Sequence, residues 1–456
     1  MFAARRFVGS GMVALVMCLG GMSSGWSQEA PATVASPALQ RPNIVFVLAD
    51  DLGYNDCSFG GESRYRTENL EQLAKQATIL RSLYVQPVCT PTRAALMSGR
   101  YPMRYGLQVG VIRPDFTFSL DLAERTLAEE LHDLGYHTSI VGKWHLGWSR
   151  PEMLPLARGF DNQYGMLTTG AIDYYTHRRA EVGIDWYREQ EVLDEPGYST
   201  DLIADEASRQ VRAHDFSAQP LFLYVAFNAP HSPYQTPEED DPGLPDTLPQ
   251  TRRDFARMVR ALDRGVGRLV AALEEQGVMD NTIIVFSSDN GGVAPRQRAD
   301  NRPFRDGKGS VYEGGVRSNG FIWYPGKIEA RQVELPMHTV DWYPTLVHAA
   351  GGEVHKDNLD GINQWERLTG AAPAEDPDRV ILLNTAPRAS ALRQGPWKLV
   401  RTRTPAGETT TSLYHLPSDV GETTDVAAEH AADFERLSAE LDRFESEQAT
   451  PLVQQQ

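Results

Sequence analysis

Ile44-Val45-Phe46-Val47-Leu48-Ala49-Asp50-Asp51 is six apolar residues followed at once by two acids. Apolar side chains that do not alternate with polar ones suit a strand buried on both faces of a sheet. Residues 138–141, 221–227 and 282–287 have the same character, and between these runs lie helix-like stretches at 67–77, 126–134, 201–213 and 252–276. Strands alternating with helices predict a doubly wound α/β sheet. In such a sheet ligands collect at the carboxyl ends of the strands, which is where the two acids stand.

Outward from this core the chain divides into four segments. Residues 1–27 read as a signal peptide: Arg5-Arg6, then an apolar run over 7–22, then small residues. The run is too short and too rich in glycine to span a membrane well, so export to the periplasm or the extracellular space is expected, without stable membrane insertion. Residues 28–40, rich in Ala, Pro, Ser and Thr, read as a flexible linker. A catalytic domain is expected over 41–369. After it, residues 380–384, 391–401 and 410–416 look like short strands and 427–444 like a closing amphipathic helix, which predicts a smaller α+β subdomain over 370–456.

Cleavage after Ser27 removes two arginines and no acids, so the formal charge goes from -17 to -19. Such a surface repels polyanions and argues against nucleic acid as a partner. An anionic substrate must therefore be met by a local cluster of cations. Of the three cysteines, Cys18 leaves with the signal, and Cys57 and Cys89 alone are no disulfide scaffold, although one bridge between them is open.

The strand that starts at Thr282 ends in Asp289-Asn290, followed by two glycines. With Asp50 and Asp51 this makes four oxygen donors at two strand ends, a site for a hard cation such as Ca²⁺ or Mg²⁺ rather than zinc. Taken singly, each pair is more often a turn or a helix cap; the shared position at strand ends is what favours the metal. Cys89-Thr90-Pro91-Thr92-Arg93 is the second motif. A given cysteine meets Pro and Arg at these offsets about once in 400 by chance.

This pentapeptide resembles the signature of type I sulfatases, in which the cysteine is oxidised to formylglycine by a separate maturation enzyme. The likeness extends, in the family's order, to Gly142-Lys143-Trp144-His145-Leu146-Gly147, to Pro230-His231-Ser232-Pro233, to Asp289-Asn290-Gly291-Gly292 and to the block from Gly307-Lys308-Gly309 to Glu313-Gly314-Gly315. It runs from about residue 41 to at least residue 370. Ala171-Ile172-Asp173-Tyr174-Tyr175-Thr176-His177 and Asp341-Trp342-Tyr343-Pro344-Thr345 carry a narrower likeness to the N-acetylgalactosamine-4-sulfatase (arylsulfatase B) branch.

The resemblance implies an alkaline-phosphatase-like mixed sheet sandwiched by helices, with the C-terminal piece built on an antiparallel sheet. It implies hydrolysis of a sulfate monoester on a sulfated carbohydrate, with 4-sulfated N-acetylgalactosamine the first substrate to try. Asp50, Asp51, Asp289 and Asn290, together with the modified residue 89, would hold one Ca²⁺. One hydroxyl of the hydrated formylglycine at Cys89 would attack sulfur, and the other would let sulfate leave by elimination. Arg93 and Lys143 would fix the diol, Lys308 would neutralise the sulfate, His145 would be the base that collapses the sulfated residue, and His231 would protonate the leaving oxygen. Lys143, His231 and Lys308 would also bind substrate, and His177 with its tyrosine neighbours would line the substrate side; packed aromatics in a surface loop is the equally open alternative for His177.

Other positions read as structural: Cys57 as a buried small side chain, Thr67 as a helix cap, Trp342 and Tyr343 as core, and the acidic run 238–241 as a solvated loop. Two rivals keep the same fold: a phosphonate or phosphate diester hydrolase, and a non-catalytic binder of sulfated glycans. Lys143-Trp144-His145 and Lys308 favour sulfate over the first, and an intact cysteine and metal set argues against the second.

Overall fold

Strand β1 (Asn43–Ala49) is apolar throughout because it feeds two cores at once. Val45, Val47 and Ala49 pack on one face of the sheet, and Ile44, Phe46 and Leu48 on the other. The structure is a computed structural model that describes residues 9, 41–61, 63–237, 243–294 and 298–455. Apart from residue 9, the expected leader (1–27) and linker (28–40) lie outside the described residues, as does the acidic run 238–241.

After β1 come α1 (Glu68–Ala74), β2 (Thr78–Tyr84), α2 (Cys89–Ser98), α3 (Leu127–Asp133), β3 (His137–Gly142) and β4 (Asn162–Gly165). Four two-residue strands follow: β5 (Arg178–Arg179), β6 (Gly183–Ile184), β7 (Tyr187–Arg188) and β8 (Glu191–Val192). Then come α4 (Ser199–Ala213), β9 (Leu221–Ala226), α5 (Gln250–Glu275), β10 (Thr282–Ser288), α6 (Glu313–Val316), β11 (Arg317–Trp323), β12 (Arg331–Val333), β13 (Met337–His338), α7 (Trp342–Ala349) and α8 (Trp365–Thr369).

The main sheet runs β12-β2-β11-β10-β1-β9-β3-β4-β7-β8, with β13 also on β2. Its five central strands, β10, β1, β9, β3 and β4, are parallel, and β11 is antiparallel to β10 and β2. Helices α1, α4 and α5 pack on one face, and α2, α3 and α7 on the other. This is a mixed, doubly wound sheet sandwiched by helices. Trp342 and Tyr343, at the start of α7, are fully buried in the second core.

The parallel register decides where the chemistry sits. Ala49 pairs with Ser288, Leu48 with Ala226, and Ala226 with Gly142. The residues that follow, Asp50-Asp51, Asp289-Asn290, Lys143 and the segment 227–231, therefore leave the sheet side by side at one edge.

A second sheet is the antiparallel meander β14 (Val380–Thr385), β15 (Ala389–Gln394), β16 (Trp397–Arg403) and β17 (Thr409–His415). Helix α9 (Ala431–Glu447) closes it by burying Leu437, Leu441 and Phe444 against Leu382, Leu392 and Leu399. Residues 41–456 form one compact unit, so the expected division at 369/370 separates two sheets inside it.

Three local expectations are corrected. Residues 391–401 are not one strand but the hairpin β15–β16, turned at Gly395, whose φ of 52° suits glycine. The closing helix starts at Ala431 rather than 427, because Asp425 Oδ1 accepts the N–H groups of Ala427 and Leu413 and holds that segment as a turn. Thr67 precedes α1 but does not cap it; its hydroxyl accepts the N–H of Ser58. The cap comes from α5, where Asp263 accepts from the N–H of Asn69 at 3.2 Å and of Leu70 at 2.8 Å.

Asp263→Ala is expected to lower stability by about 2 kcal/mol, because two helix N–H groups lose their acceptor in a buried place. Urea unfolding of the variant beside the parent measures it, and an unchanged midpoint would exclude this cap.

Candidate active site

Asp50, Asp51, Asp289 and Asn290 are all buried at the carboxyl edge of β1 and β10. Each carboxylate has a basic partner. Lys143, the residue after β3, donates to Asp50 Oδ2 at 2.6 Å. Arg93, one turn into α2, donates to Asp289 Oδ2 through Nε at 3.1 Å and a terminal nitrogen at 2.8 Å, and to the Lys143 carbonyl at 3.1 Å. Lys308 Nζ lies 2.5 Å from Asp51 Oδ1, which also accepts from Asn290 Nδ2 at 2.8 Å. Asp51 adopts a φ of 68°, a strained turn that directs the second acid of the pair toward β10.

Cys89 opens α2 and is 1% exposed. Its thiol donates to Asp50 Oδ1 at 3.3 Å and accepts from Lys308 Nζ at 3.3 Å. Burial, with the charges of Asp289 and Asp50, pushes the thiol far above its ordinary value. The cysteine is therefore protonated, and both Cys89 and Cys57 are free. Cys57 lies in the first hydrophobic core, as expected.

The two histidines differ in which nitrogen is open. His231 Nδ1 lies 2.6 Å from the Ser232 carbonyl, which can only accept, so Nδ1 carries a hydrogen and Nε2 is the exchangeable position; it faces Asp51 Oδ2 at 3.6 Å. His145 is the reverse: Nε2 donates to the Ile112 carbonyl at 3.0 Å, and Nδ1 is buried with no hydrogen-bond partner. Burial, reinforced by Lys143 and Arg93, holds His145 well below the usual histidine range, so Nδ1 keeps a free lone pair at neutral pH. Burial also lowers His231, against the opposite pull of Asp51 and Asp50.

The structure thus brings together Asp50, Asp51, Cys89, Arg93, Lys143, His145, His231, Asp289, Asn290 and Lys308. One ligand atom each from Asp50, Asp51, Cys89 and His231 lies within 4.8 Å of the others, so His231 borders the expected metal set. His177 is placed otherwise. Its ring is 1% exposed, stacks on Trp186 with centroids 4.1 Å apart and bonds to the Gly197 carbonyl, so it packs the loop and presents no surface to a substrate.

Several contributors were not visible along the chain. Gly170 borders Asp50, Lys143 and His231 so closely that a Cβ there would lie 2.3 Å from Asp50 Oδ2. Tyr174 donates to the carbonyls of Asn228 and His231 at 2.9 and 2.7 Å, while Asp173 accepts from Gln235 Nε2 at 2.7 Å. The stretch 171–177, whose His177 and tyrosines were expected to line the substrate side, clamps the loop that carries His231. Its tyrosine pair was the available signal, but the partner loop lies more than fifty residues away.

The donor set fits a hard divalent cation. Asn290 Oδ1 is buried without a hydrogen-bond partner, and burial together with the charge of Asp50 holds Asp289 above the ordinary carboxylate range. Both features are relieved by a positive ion among these oxygens. Asn290→Ala is expected to weaken binding of a divalent cation, with Ca²⁺ as the titrant, at least tenfold in calorimetry on chelator-treated protein. Affinity should also fall as pH drops below neutrality, because Asp289 takes up a proton that competes with the ion. PH-independent binding would place the ion elsewhere.

Comparison with known proteins agrees with this geometry. The sulfatase family model matches residues 42–352. Arylsulfatase J of Mus musculus is 37% identical over 366 residues, which is 78% of this chain and 60% of the relative. N-acetylgalactosamine-6-sulfatase of Canis lupus familiaris is 31% identical over 75% of this chain and 69% of its own length. The chain thus spans less than two thirds of the length of arylsulfatase J. Among solved structures, Ps i-CgsB superposes with a TM-score of 0.84 at 32% identity, covering 91% of this chain and 94% of the other. The shared fold, a relative 37% identical over 78% of this chain and a family match over residues 42–352 lead to one conclusion: the chain belongs to the sulfatase family.

Proposed function

We propose that the protein hydrolyses sulfate monoesters on a sulfated carbohydrate, with residue 89 acting as formylglycine beside a Ca²⁺ ion. The observation that carries this reading is the state of Cys89: a thiol held un-ionised by burial and by two carboxylates, yet seated at the centre of every basic and acidic group of the site. Unmodified, it is a poor nucleophile. Converted to a hydrated aldehyde, the same position supplies one hydroxyl for attack and a second through which sulfate is expelled.

Three carboxylates face three cations, so the site is formally neutral before a metal enters. A dication leaves two positive charges, which suits a sulfate group. Asp50, Asp51, Asp289 and Asn290 would hold the ion, and four side-chain oxygens favour Ca²⁺ over Mg²⁺, which usually keeps several waters. The metal would supply Lewis acidity toward the sulfate group. Lys308 and Lys143 flank residue 89 and stabilise charge on the transferring group, while Arg93 holds Asp289 and the Lys143 backbone in place. His145 Nδ1 accepts the proton released at residue 89. His231 Nε2 first takes up a proton, a cationic form that Asp51 beside it favours, and then gives that proton to the leaving oxygen from the less buried side of the site.

The relatives bear on the substrate. One is named an N-acetylgalactosamine-6-sulfatase, and a structure of Ps i-CgsB, 31% identical, holds a neocarrahexaose. We place the substrate among sulfated polysaccharides, with 4- and 6-sulfated N-acetylgalactosamine units as the first pair to compare. Maturation by a formylglycine-generating enzyme and export directed by residues 1–27 belong to the same proposal. No helix among the described residues is long and apolar enough to cross a membrane.

Mass spectrometry of the peptide spanning residue 89, from natively matured protein, is expected to show loss of the thiol; an intact cysteine in protein that splits sulfate esters overturns the mechanism. Cys89→Ala should abolish turnover while the unfolding midpoint stays near the parent's and Ca²⁺ is still bound through the four remaining side-chain oxygens. His231→Ala should slow esters with poor leaving groups by about 10²–10⁴ and those with good leaving groups far less. Equal losses across a leaving-group series would remove it as the acid.

A further inference from the structure

Arg298 differs from the other arginines around the site. Arg93, Arg252, Arg302, Arg305 and Arg317 each donate to a carboxylate or a carbonyl: Asp289, Asp56, Asp300, the Glu422 carbonyl and Glu313. The guanidinium of Arg298 instead lies over the ring of Tyr234, 3.9 Å from its centroid, and its N–H groups have no acceptor among the described residues. Its backbone is fixed, because its carbonyl accepts from Arg252, whose other nitrogen pairs with buried Asp56.

Tyr234 stands three residues after His231 on the loop that Tyr174 clamps, and it is half-buried. The charges of Asp51 and Lys308 both reach its hydroxyl, which puts the Arg298–Tyr234 pair at the rim of the same site. A guanidinium that sits over a ring and has no acceptor among the described residues can offer its N–H groups to two oxygens of a carboxylate or a sulfate. The ring has already ordered the long side chain, so less conformational freedom is lost on binding. In a chain of net charge -17, an acceptor-free cation at the mouth is where a polyanion is met.

We propose that Arg298, held over the ring of Tyr234, reads a second anionic substituent of the substrate, a sulfate ester or a carboxylate on the sugar adjoining the one that carries the scissile sulfate. The assignment rests on the sulfatase reading and adds a substrate class to it: the preferred substrate is polyanionic, and Arg298 is a specificity-determining residue.

The test uses matured, Ca²⁺-loaded enzyme and three oligosaccharides that share one scissile sulfate. The first carries no other charge, the second a further sulfate on the neighbouring sugar, and the third a uronic carboxylate there. Arg298→Gln is expected to lower the kcat/KM ratio of the doubly to the singly charged substrates at least tenfold, mainly through KM, and Arg298→Lys to retain part of it. Whichever charged substrate loses more identifies the anion. An unchanged ratio, or an equal loss on all three, overturns the proposal. Should Arg298→Gln fold poorly, Tyr234→Leu removes the platform and is expected to shift the same ratio in the same direction. If the parent enzyme hydrolyses none of them, the hydrolase reading falls. Arg298 is then judged by calorimetric binding of the three oligosaccharides to the parent and to Arg298→Gln, where selectivity for the charged pair must drop.

Discussion

Buried ion pairs govern this molecule. Asp50, Asp51, Asp289, Arg93 and Lys143 are all buried at one edge of a parallel sheet, and Lys308 closes the set at the mouth. An unpaired ion in such a place costs several kcal/mol, so the set is tolerable only when every charge meets its partner. The consequences reach each reactive group. The thiol of Cys89 stays protonated, His145 stays neutral with one nitrogen free, and Asn290 keeps an unmatched oxygen among the carboxylates. A site poised in this way could take a dication and then an anionic ester with little rearrangement.

The second sheet is tied into the same network. Lys398 of β16, fully buried, lies 2.9 Å from Glu313 Oε1 and 2.8 Å from Glu422 Oε1. Glu313 also meets Arg317 at 3.1 Å and the Tyr84 hydroxyl at 2.8 Å, and its N–H donates to Glu422 Oε2 at 2.6 Å. Glu313 ends the segment that begins at Lys308, whose own N–H donates to the Gly292 carbonyl. The C-terminal meander is thus joined through charge to the loop that carries the basic side of the site, which explains why 41–456 form one unit despite two sheets.

Clamping by remote residues recurs. Tyr174 holds the His231 loop, Asp263 of α5 caps α1, and Arg252 of α5 joins Asp56 to the carbonyl of Arg298. Each of these ties a loop at the sheet edge to a long helix or to a distant turn. Rigid placement of that kind is what a site needs when its chemistry depends on charges a few ångströms apart.

Much of this was legible along the chain. Unbroken apolar runs mark β1, β3, β9 and β10, because a strand buried on both faces leaves no polar alternation, and the acids after two of those runs mark the ligand edge. The Cys-x-Pro-x-Arg spacing places Cys89 and Arg93 one helical turn apart on α2. Those features are local, set by backbone periodicity and by which side chains tolerate burial, so the amino-acid order alone determined them. The roles of Gly170, Tyr174, Asp263 and the Arg298–Tyr234 pair, the packing of His177 on Trp186 and the hairpin inside 391–401 were decided only by tertiary structure. The long-range ones join segments as much as 57 to 193 residues apart, while the His177–Trp186 stack and the hairpin rest on pairing between near neighbours; in each, the energy of the contact lies in a partner that local periodicity cannot name.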